Sequence, residues 1–140
     1  MLDTARALIK AFEEEGWHFE HEEATETRAE YVRIPFSTES NVPVKIIFFF
    51  DDNNQTVNIK VFSLCQVKVE KLMDMYVLLN QLNYEFRWVT FYLDEDNEVT
   101  LSGDAVVDVE TAGAELKQLC GRFLDIIDQV YPRIMKVVWG

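Results

Sequence analysis

The stretch that decides the fold is Leu82-Asn83-Tyr84-Glu85-Phe86-Arg87-Trp88-Val89-Thr90-Phe91-Tyr92-Leu93-Asp94-Glu95-Asp96-Asn97-Glu98-Val99. Its first residues close an apolar helix and its remainder opens a hairpin. Upstream, Leu72, Met73, Tyr76, Leu79 and Asn80 fall on one helical face, so a helix is expected from Val69 to Asn83, with Asn83 as a left-handed C-cap. Downstream, strands over Trp88–Asp94 and Val99–Val107 flank the acidic turn Glu95-Asp96-Asn97-Glu98. A helix followed directly by a hairpin points to an α+β domain on an antiparallel sheet, because a parallel sheet needs crossover helices between its strands.

The rest of the chain fits this plan. Thr4 is expected to cap a first helix that carries Ala5, Leu8, Ile9 and Phe12 on one face and stops at Gly16. Its last turn, Glu13-Glu14-Glu15, opposes the helix dipole and calls for a cation nearby or a frayed end. Trp17 to Phe19 alternates as a short strand, and Tyr31–Phe36 reads as another, placed at an edge by Pro35. Val42–Asp51 and Thr56–Leu64 form a hairpin around Asp51-Asp52-Asn53-Asn54-Gln55. The final helix starts near Thr111 and keeps Leu116, Leu119, Cys120, Phe123, Ile127, Val130 and Ile134 in helical spacing, with Pro132 expected to kink or interrupt it. The expected architecture is a sheet of about five strands with three helices, in the order α-β-β-β-β-α-β-β-α, as one domain over residues 1–140.

Composition bounds the function. Hydrophobic residues make up 49% of the 140, enough for a full core. A net charge of −12, from 13 Lys and Arg against 25 Asp and Glu, opposes contact with a phosphate backbone, so no nucleic-acid partner is expected. The longest apolar run, Ile46 to Phe50, is far too short to span a membrane, and Met1-Leu2-Asp3-Thr4-Ala5-Arg6 has no signal-peptide pattern. Cys65 and Cys120 lie far apart in apolar surroundings, which suits buried thiols in a reducing compartment. The expectation is a cytoplasmic protein.

No catalytic constellation stands out among these residues, and neither an enzyme nor a cofactor is expected. His18-Phe19-Glu20-His21-Glu22-Glu23 holds metal-ligand types, yet a strand would put His18, Glu20 and Glu22 on one face and turn His21 away, so no metal site is expected. The turn beginning at Asp94 fails the EF-hand pattern, with Val99 at its glycine position and Ala105 at its final glutamate. Arg87, between Phe86 and Trp88, is the cation best placed to stack and to hold a carboxylate ligand, or else to form a structural ion pair.

Val44-Lys45-Ile46-Ile47-Phe48-Phe49-Phe50 is apolar on both faces, with Ile46, Phe48 and Phe50 on one side and Ile47 and Phe49 on the other. Helices packed on a single face would leave the second face for a partner. Ile47, Phe49, Trp88 and Tyr92 are the side chains expected to line that surface.

The helix end Leu79-Asn80-Gln81-Leu82-Asn83-Tyr84, the hairpin Phe86–Asp94 and the closing Phe123-Leu124-Asp125-Ile126-Ile127-Asp128-Gln129-Val130-Tyr131-Pro132 together resemble the YbjN-type family of bacterial sensory transduction regulators, whose fold is that of type III secretion chaperones. The resemblance covers nearly the whole chain in element order and rests on packing and capping patterns. It implies a small, acidic, homodimeric protein without catalytic activity that holds a polypeptide partner, as a chaperone-like adaptor or regulator. Nothing in the sequence ties it to a secretion system. The alternative is a sensory module with a small-molecule pocket between sheet and helices, working through Arg87.

Overall fold

The computed structural model describes all residues from Met1 to Gly140. Helix α1 (Asp3–Glu15) is followed by β1 (Glu20–Glu22), β2 (Glu30–Ser37), β3 (Pro43–Phe50) and β4 (Thr56–Gln66). A short 3₁₀ turn over Val69–Lys71 leads into α2 (Leu72–Glu85), then β5 (Thr90–Leu93), β6 (Glu98–Val106) and α3 (Ala112–Trp139). The strands make one antiparallel sheet in the order β1-β2-β3-β4-β6-β5. The α+β class and the element order agree with the sequence reading, while the sheet has six strands rather than about five.

Several local expectations are corrected. Trp17 and Phe19 do not form the first strand: their rings pack on Phe12, and Trp17 also meets Phe36 edge-on, so pairing begins only at Glu20. Burial of the two aromatics outweighs the alternation that suggested a strand. Pro132 does not break α3, which runs on to Trp139. Ile127, Val130 and Ile134 keep that helix in the core on both sides of the proline. Pro35 does lie in an edge segment, because β1 pairs only with Tyr31–Arg33 and leaves the rest of β2 open on that side.

The start of α1 is capped from a distance. Thr4 sits inside the helix with its hydroxyl buried and unpartnered, while Asn54 Oδ1 accepts the Asp3 and Thr4 N–H groups at 3.0 and 3.4 Å. Asn54, at φ +55 in the β3–β4 turn, therefore supplies the cap that a local side chain would have given. At the other end Gly16 adopts φ +74, and Glu15 finds its cation in Lys117 of α3, 2.9 Å away.

The fully buried apolar side chains of the strands face one way. Val32, Ile34, Ile46, Phe48, Phe50, Val57, Ile59, Val61, Phe91 and Leu101 pack with Leu8, Phe12, Leu116, Phe123 and Ile127 from the helices into a single core. Close approach at two glycines permits this. A Cβ on Gly113 would lie 2.7 Å from the Ala7 carbonyl oxygen, and one on Gly103 would lie 2.5 Å from that of Trp88.

Candidate binding surfaces

The opposite sheet face carries no helix. Register places its side chains in rows: Tyr31, Phe49, Asn58 and Asp104 across β2, β3, β4 and β6, then Arg33, Ile47, Lys60, Ser102 and Thr90. Tyr31 and Phe49 rings stand 6.0 Å apart, and Phe49 meets Phe62 edge-on at 6.3 Å. Cations sit over this aromatic row. The Arg28 guanidinium lies 4.9 Å from the Tyr31 ring centre, and Lys60 Nζ lies within 6 Å of both Phe62 and Tyr92 while donating to the Tyr92 hydroxyl at 3.0 Å.

Of the side chains expected to face a partner, Ile47, Phe49 and Tyr92 share this surface. Trp88 does not. It turns through φ +79 before β5 begins and lies beside α3, with the Arg122 guanidinium 5.2 Å from its ring and that of Arg87 5.7 Å away. Together with Val107, Leu119, Glu115 and Asp104, Trp88 and Arg122 line a cleft of about 310 Å³. Arg87 makes no ion pair; the pair in this region is Arg133 with Glu85, joined by two hydrogen bonds of 2.8 and 3.2 Å. Those bonds hold the Glu85 carboxyl below the usual range.

Helix α2 presents a second surface. The expected core face, Leu72, Met73, Tyr76, Leu79 and Asn80, is only partly the observed one, since Met75, Leu79 and Leu82 are the buried side chains. Val69, Met73, Tyr76, Val77 and Tyr84 are exposed instead. Because α2 is apolar around most of its circumference, periodicity selects the wrong stripe. Val69 continues this surface into a cleft of about 610 Å³ shared with Tyr131, Met135 and the exposed Trp139.

The side chains of metal-ligand type come together in one place. Donor atoms of His21, Glu23 and Glu30 lie within 4.8 Å of one another, and these three are the residues that could hold an ion. Glu30 is 2% exposed, yet each of its oxygens already has a structural task. Oε1 accepts the Leu2 N–H at 2.8 Å and Oε2 is 2.6 Å from His21 Nε2, so the carboxylate ties the start of α1 to β1. Within β1, His21 faces the side opposite Glu20 and Glu22, as strand geometry requires, while His18 lies before the strand. In the Asp94 turn the side chain accepts the Asp96 and Glu98 N–H groups at 2.9 and 3.0 Å, which is hairpin chemistry.

Neither cysteine is an activated nucleophile. Burial pushes the Cys120 thiol up to about 12, and burial together with the Glu98 carboxylate pushes Cys65 up to about 11. No helix is long and apolar enough to cross a membrane.

The family model of YbjN, described as a putative bacterial sensory transduction regulator, matches residues 4–136. The chain belongs to the YbjN family. No curated protein sequence matches it. Among solved structures, YbjN from E. coli is similar over 92% of both chains, at a TM-score of 0.55 and 15% identity. A chain of the heterodimeric ExoU–SpcU complex from the type III secretion system of Pseudomonas aeruginosa is similar over 92% of this chain and 95% of that one, at 0.55 and 13%. A chain of the ExsC–ExsE complex is similar over 93% and 96%, at 0.50 and 13%. At these identities the likeness is one of fold, and the YbjN-family chain has the type III secretion chaperone-like architecture that its helix-end and hairpin patterns imply.

Proposed function

We propose that this YbjN-family chain is a non-enzymatic polypeptide-binding adaptor or regulator of the cytoplasm that works as a homodimer. The observation that carries the reading is the helix-free sheet face, where Ile47, Phe49 and Tyr92 stand with Tyr31 and Phe62 and no segment of the chain covers them. Apolar and aromatic side chains gathered on one flat face mark an interaction surface. The two similar complexes support it, since each pairs a chain of this fold with another polypeptide.

The second copy docks on α2. Met73, Tyr76, Val77 and Tyr84 form an exposed stripe on which Asp74 and Glu85 are the only charges of the helix, and a self-complementary stripe of this kind suits a two-fold interface. Dimerisation on α2 leaves the sheet face free for the partner.

The test has two arms. Solution mass by light scattering across a dilution series is expected to give twice the chain mass, and Met73→Glu with Val77→Glu is expected to give a monomer of unchanged circular dichroism. Affinity capture from the native host is expected to retain a specific protein that Ile47→Asp with Phe49→Asp releases. A native chain that stays monomeric removes the dimer, and capture indifferent to the sheet-face change removes the partner surface.

A second reading is favoured by the cleft beside Trp88. Two guanidinium groups on one indole, next to an apolar floor of Val107 and Leu119, suit a small aromatic acid, and Arg87 would then act as the sensing cation. This reading predicts thermal stabilisation by such acids that Arg122→Gln abolishes.

A further inference from the structure

One buried carboxylate has no permanent counter-charge. Glu30 hydrogen-bonds only to the Leu2 N–H, through Oε1, and to His21 Nε2, through Oε2. An imidazole is a cation only when protonated. The guanidinium groups nearby are engaged elsewhere, Arg33 with Glu20 and Arg28 over the Tyr31 ring. A carboxylate taken out of water without a fixed cation is unfavourable, and buried charges in folded chains are either paired or bound to a metal.

A second carboxylate stands against the first. The last pair of β1 and β2 is Glu22 with Tyr31, so the next step of the same register sets Glu23 opposite Glu30. Like charges in that relation repel. His21 lies two residues before Glu23 and shares its face, and donor atoms of all three side chains lie within 4.8 Å of one another. The one ion pair of Glu23 is with the Met1 amino group at 3.2 Å, and its side chain, 66% exposed, is free to swing toward the other two. Strand parity separates His21 from Glu20 and Glu22, so β1 alone offers no site; Glu30, from β2, completes the set.

We propose that His21 Nε2 and the carboxylates of Glu23 and Glu30 bind a divalent transition-metal ion of the zinc type, which clips β1 and the segment after it to β2 beside the start of α1. Oxygen ligands alone suit calcium or magnesium, whereas an imidazole nitrogen beside two carboxylates moves the preference to zinc and its neighbours. Ligand atoms at about 2.0–2.2 Å from a tetrahedral ion stand roughly 3.4 Å apart, so Glu30 Oε2 and His21 Nε2 open from 2.6 Å while Glu23 closes in. With the hydrogen of the neutral ring on Nδ1, Nε2 has a lone pair for the ion. Glu30 Oε1 keeps the Leu2 N–H, so the same carboxylate still ties down α1. A fourth position falls to water. The net charge of −12 draws cations to the chain. Glu30 points with Val32 and Ile34 to the side that the helices cover, so binding here is independent of the helix-free sheet face.

The untagged full chain is titrated calorimetrically with zinc, calcium and magnesium chlorides, and with cobalt(II) for its visible spectrum. The native chain is expected to take one zinc ion, to bind calcium and magnesium at least about tenfold more weakly, and to melt at a higher temperature with zinc present. The cobalt spectrum should be that of nitrogen and oxygen ligands, with no thiolate charge-transfer band. Glu23→Gln, an exposed change that leaves the fold intact, is expected to weaken zinc binding at least about tenfold, and His21→Gln to do the same. His18→Gln, at an exposed position before the strand, should leave it unchanged. Circular dichroism checks each variant, and Glu23→Gln carries the comparison if His21→Gln fails to fold. A native chain that binds no zinc, or binds calcium or magnesium equally well, overturns the proposal. So does zinc binding that survives Glu23→Gln or is lost with His18→Gln, and a thiolate band would assign the ion to Cys65 and overturn it as well.

Discussion

Asn83 closes the free edge of β5 by bonding both backbone groups of Phe91: its Oδ1 accepts the Phe91 N–H at 2.7 Å and its Nδ2 donates to the Phe91 carbonyl at 3.0 Å. The side chain of a helix thereby stands in for a seventh strand, and it joins α2 to the sheet at the place where the chain turns from one to the other. The expected role of Asn83 as a left-handed cap is replaced by this one, since α2 runs on to Glu85.

Replacing Asn83 by Ala removes both bonds and is expected to lower stability by about 1–3 kcal/mol, with faster amide exchange at Phe91. Asn83→Asp separates the two contributions. Aspartate keeps the acceptor but sets a carboxylate oxygen against the Phe91 carbonyl, so it should be no better than Ala at neutral pH. Below about pH 4 its protonated form regains a donor, and the deficit relative to the native chain should shrink. Urea melts of the three proteins at both pH values check this.

The cap that Asn54 places on α1 across the fold gives a second test. Asn54→Ala leaves the Asp3 and Thr4 N–H groups unpartnered and is expected to cost about 1 kcal/mol. Asn54→Gly loses the same two bonds but should cost less than Asn54→Ala, because φ +55 is a conformation that glycine adopts freely and alanine does not. Thr4→Ala, by contrast, removes a buried hydroxyl that has no partner and should be neutral or stabilising. Chemical denaturation of the three variants would show the order, and a Thr4→Ala protein less stable than Asn54→Ala would contradict it.

What the sequence carried and what it hid separate along physical lines. The hairpins, the alternation in β3 and the long amphipathic stripe of α3 are signals written into neighbouring residues, and all appear in the fold. Contacts made across long sequence gaps were not legible: Asn54 reaching Thr4, Glu30 reaching Leu2, and the cation needed by Glu15 appearing as Lys117. The exposed stripe of α2 was hidden for a different reason. A helix apolar around most of its circumference gives periodicity no single stripe to select, so the buried set Met75, Leu79 and Leu82 was set by what packs on it. Of the candidate surface, Ile47, Phe49 and Tyr92 came together because strand parity is exact over short runs. Trp88 left them because it lies before β5, where a positive φ breaks that parity.

Gly113 sets the distance between α1 and α3. Any Cβ there would stand 2.7 Å from the Ala7 carbonyl, an atom of helix backbone that cannot step aside. Gly113→Ala should therefore lower stability despite the better helix propensity of alanine, and Gly113→Leu should cost about 1–3 kcal/mol or prevent folding. Gly121, on the same helix, has nothing within 4 Å of its own Cβ position, so Gly121→Ala should raise stability by about 0.5–1 kcal/mol. Opposite signs for the same substitution eight residues apart in one helix would be read directly from paired thermal melts; equal signs would mean that packing between the helices does not govern the site.

Cys120 supplies an alkaline limit to stability. In the unfolded chain its thiol ionises near pH 8.5, whereas burial in the fold raises it to about 12. A group whose value rises on folding contributes fully below its unfolded value and loses that contribution as pH climbs, because the unfolded state releases a proton that the folded state must keep. Between about pH 8.5 and 11 the native protein should therefore lose up to about 1.4 kcal/mol per pH unit that a Cys120→Ala variant does not lose. The variant pays a cavity penalty at neutral pH, so the informative quantity is the difference in slope: the two stability curves should converge as pH rises. The same burial predicts slow alkylation. Iodoacetamide at pH 8 should modify Cys120 only at the rate of global unfolding, and Cys65, half-buried with a thiol near 11, faster than Cys120 but far below a free cysteine. Parallel curves, or rapid labelling of Cys120 in the folded state, would place that side chain outside the core formed by Leu116, Phe123 and Ile127.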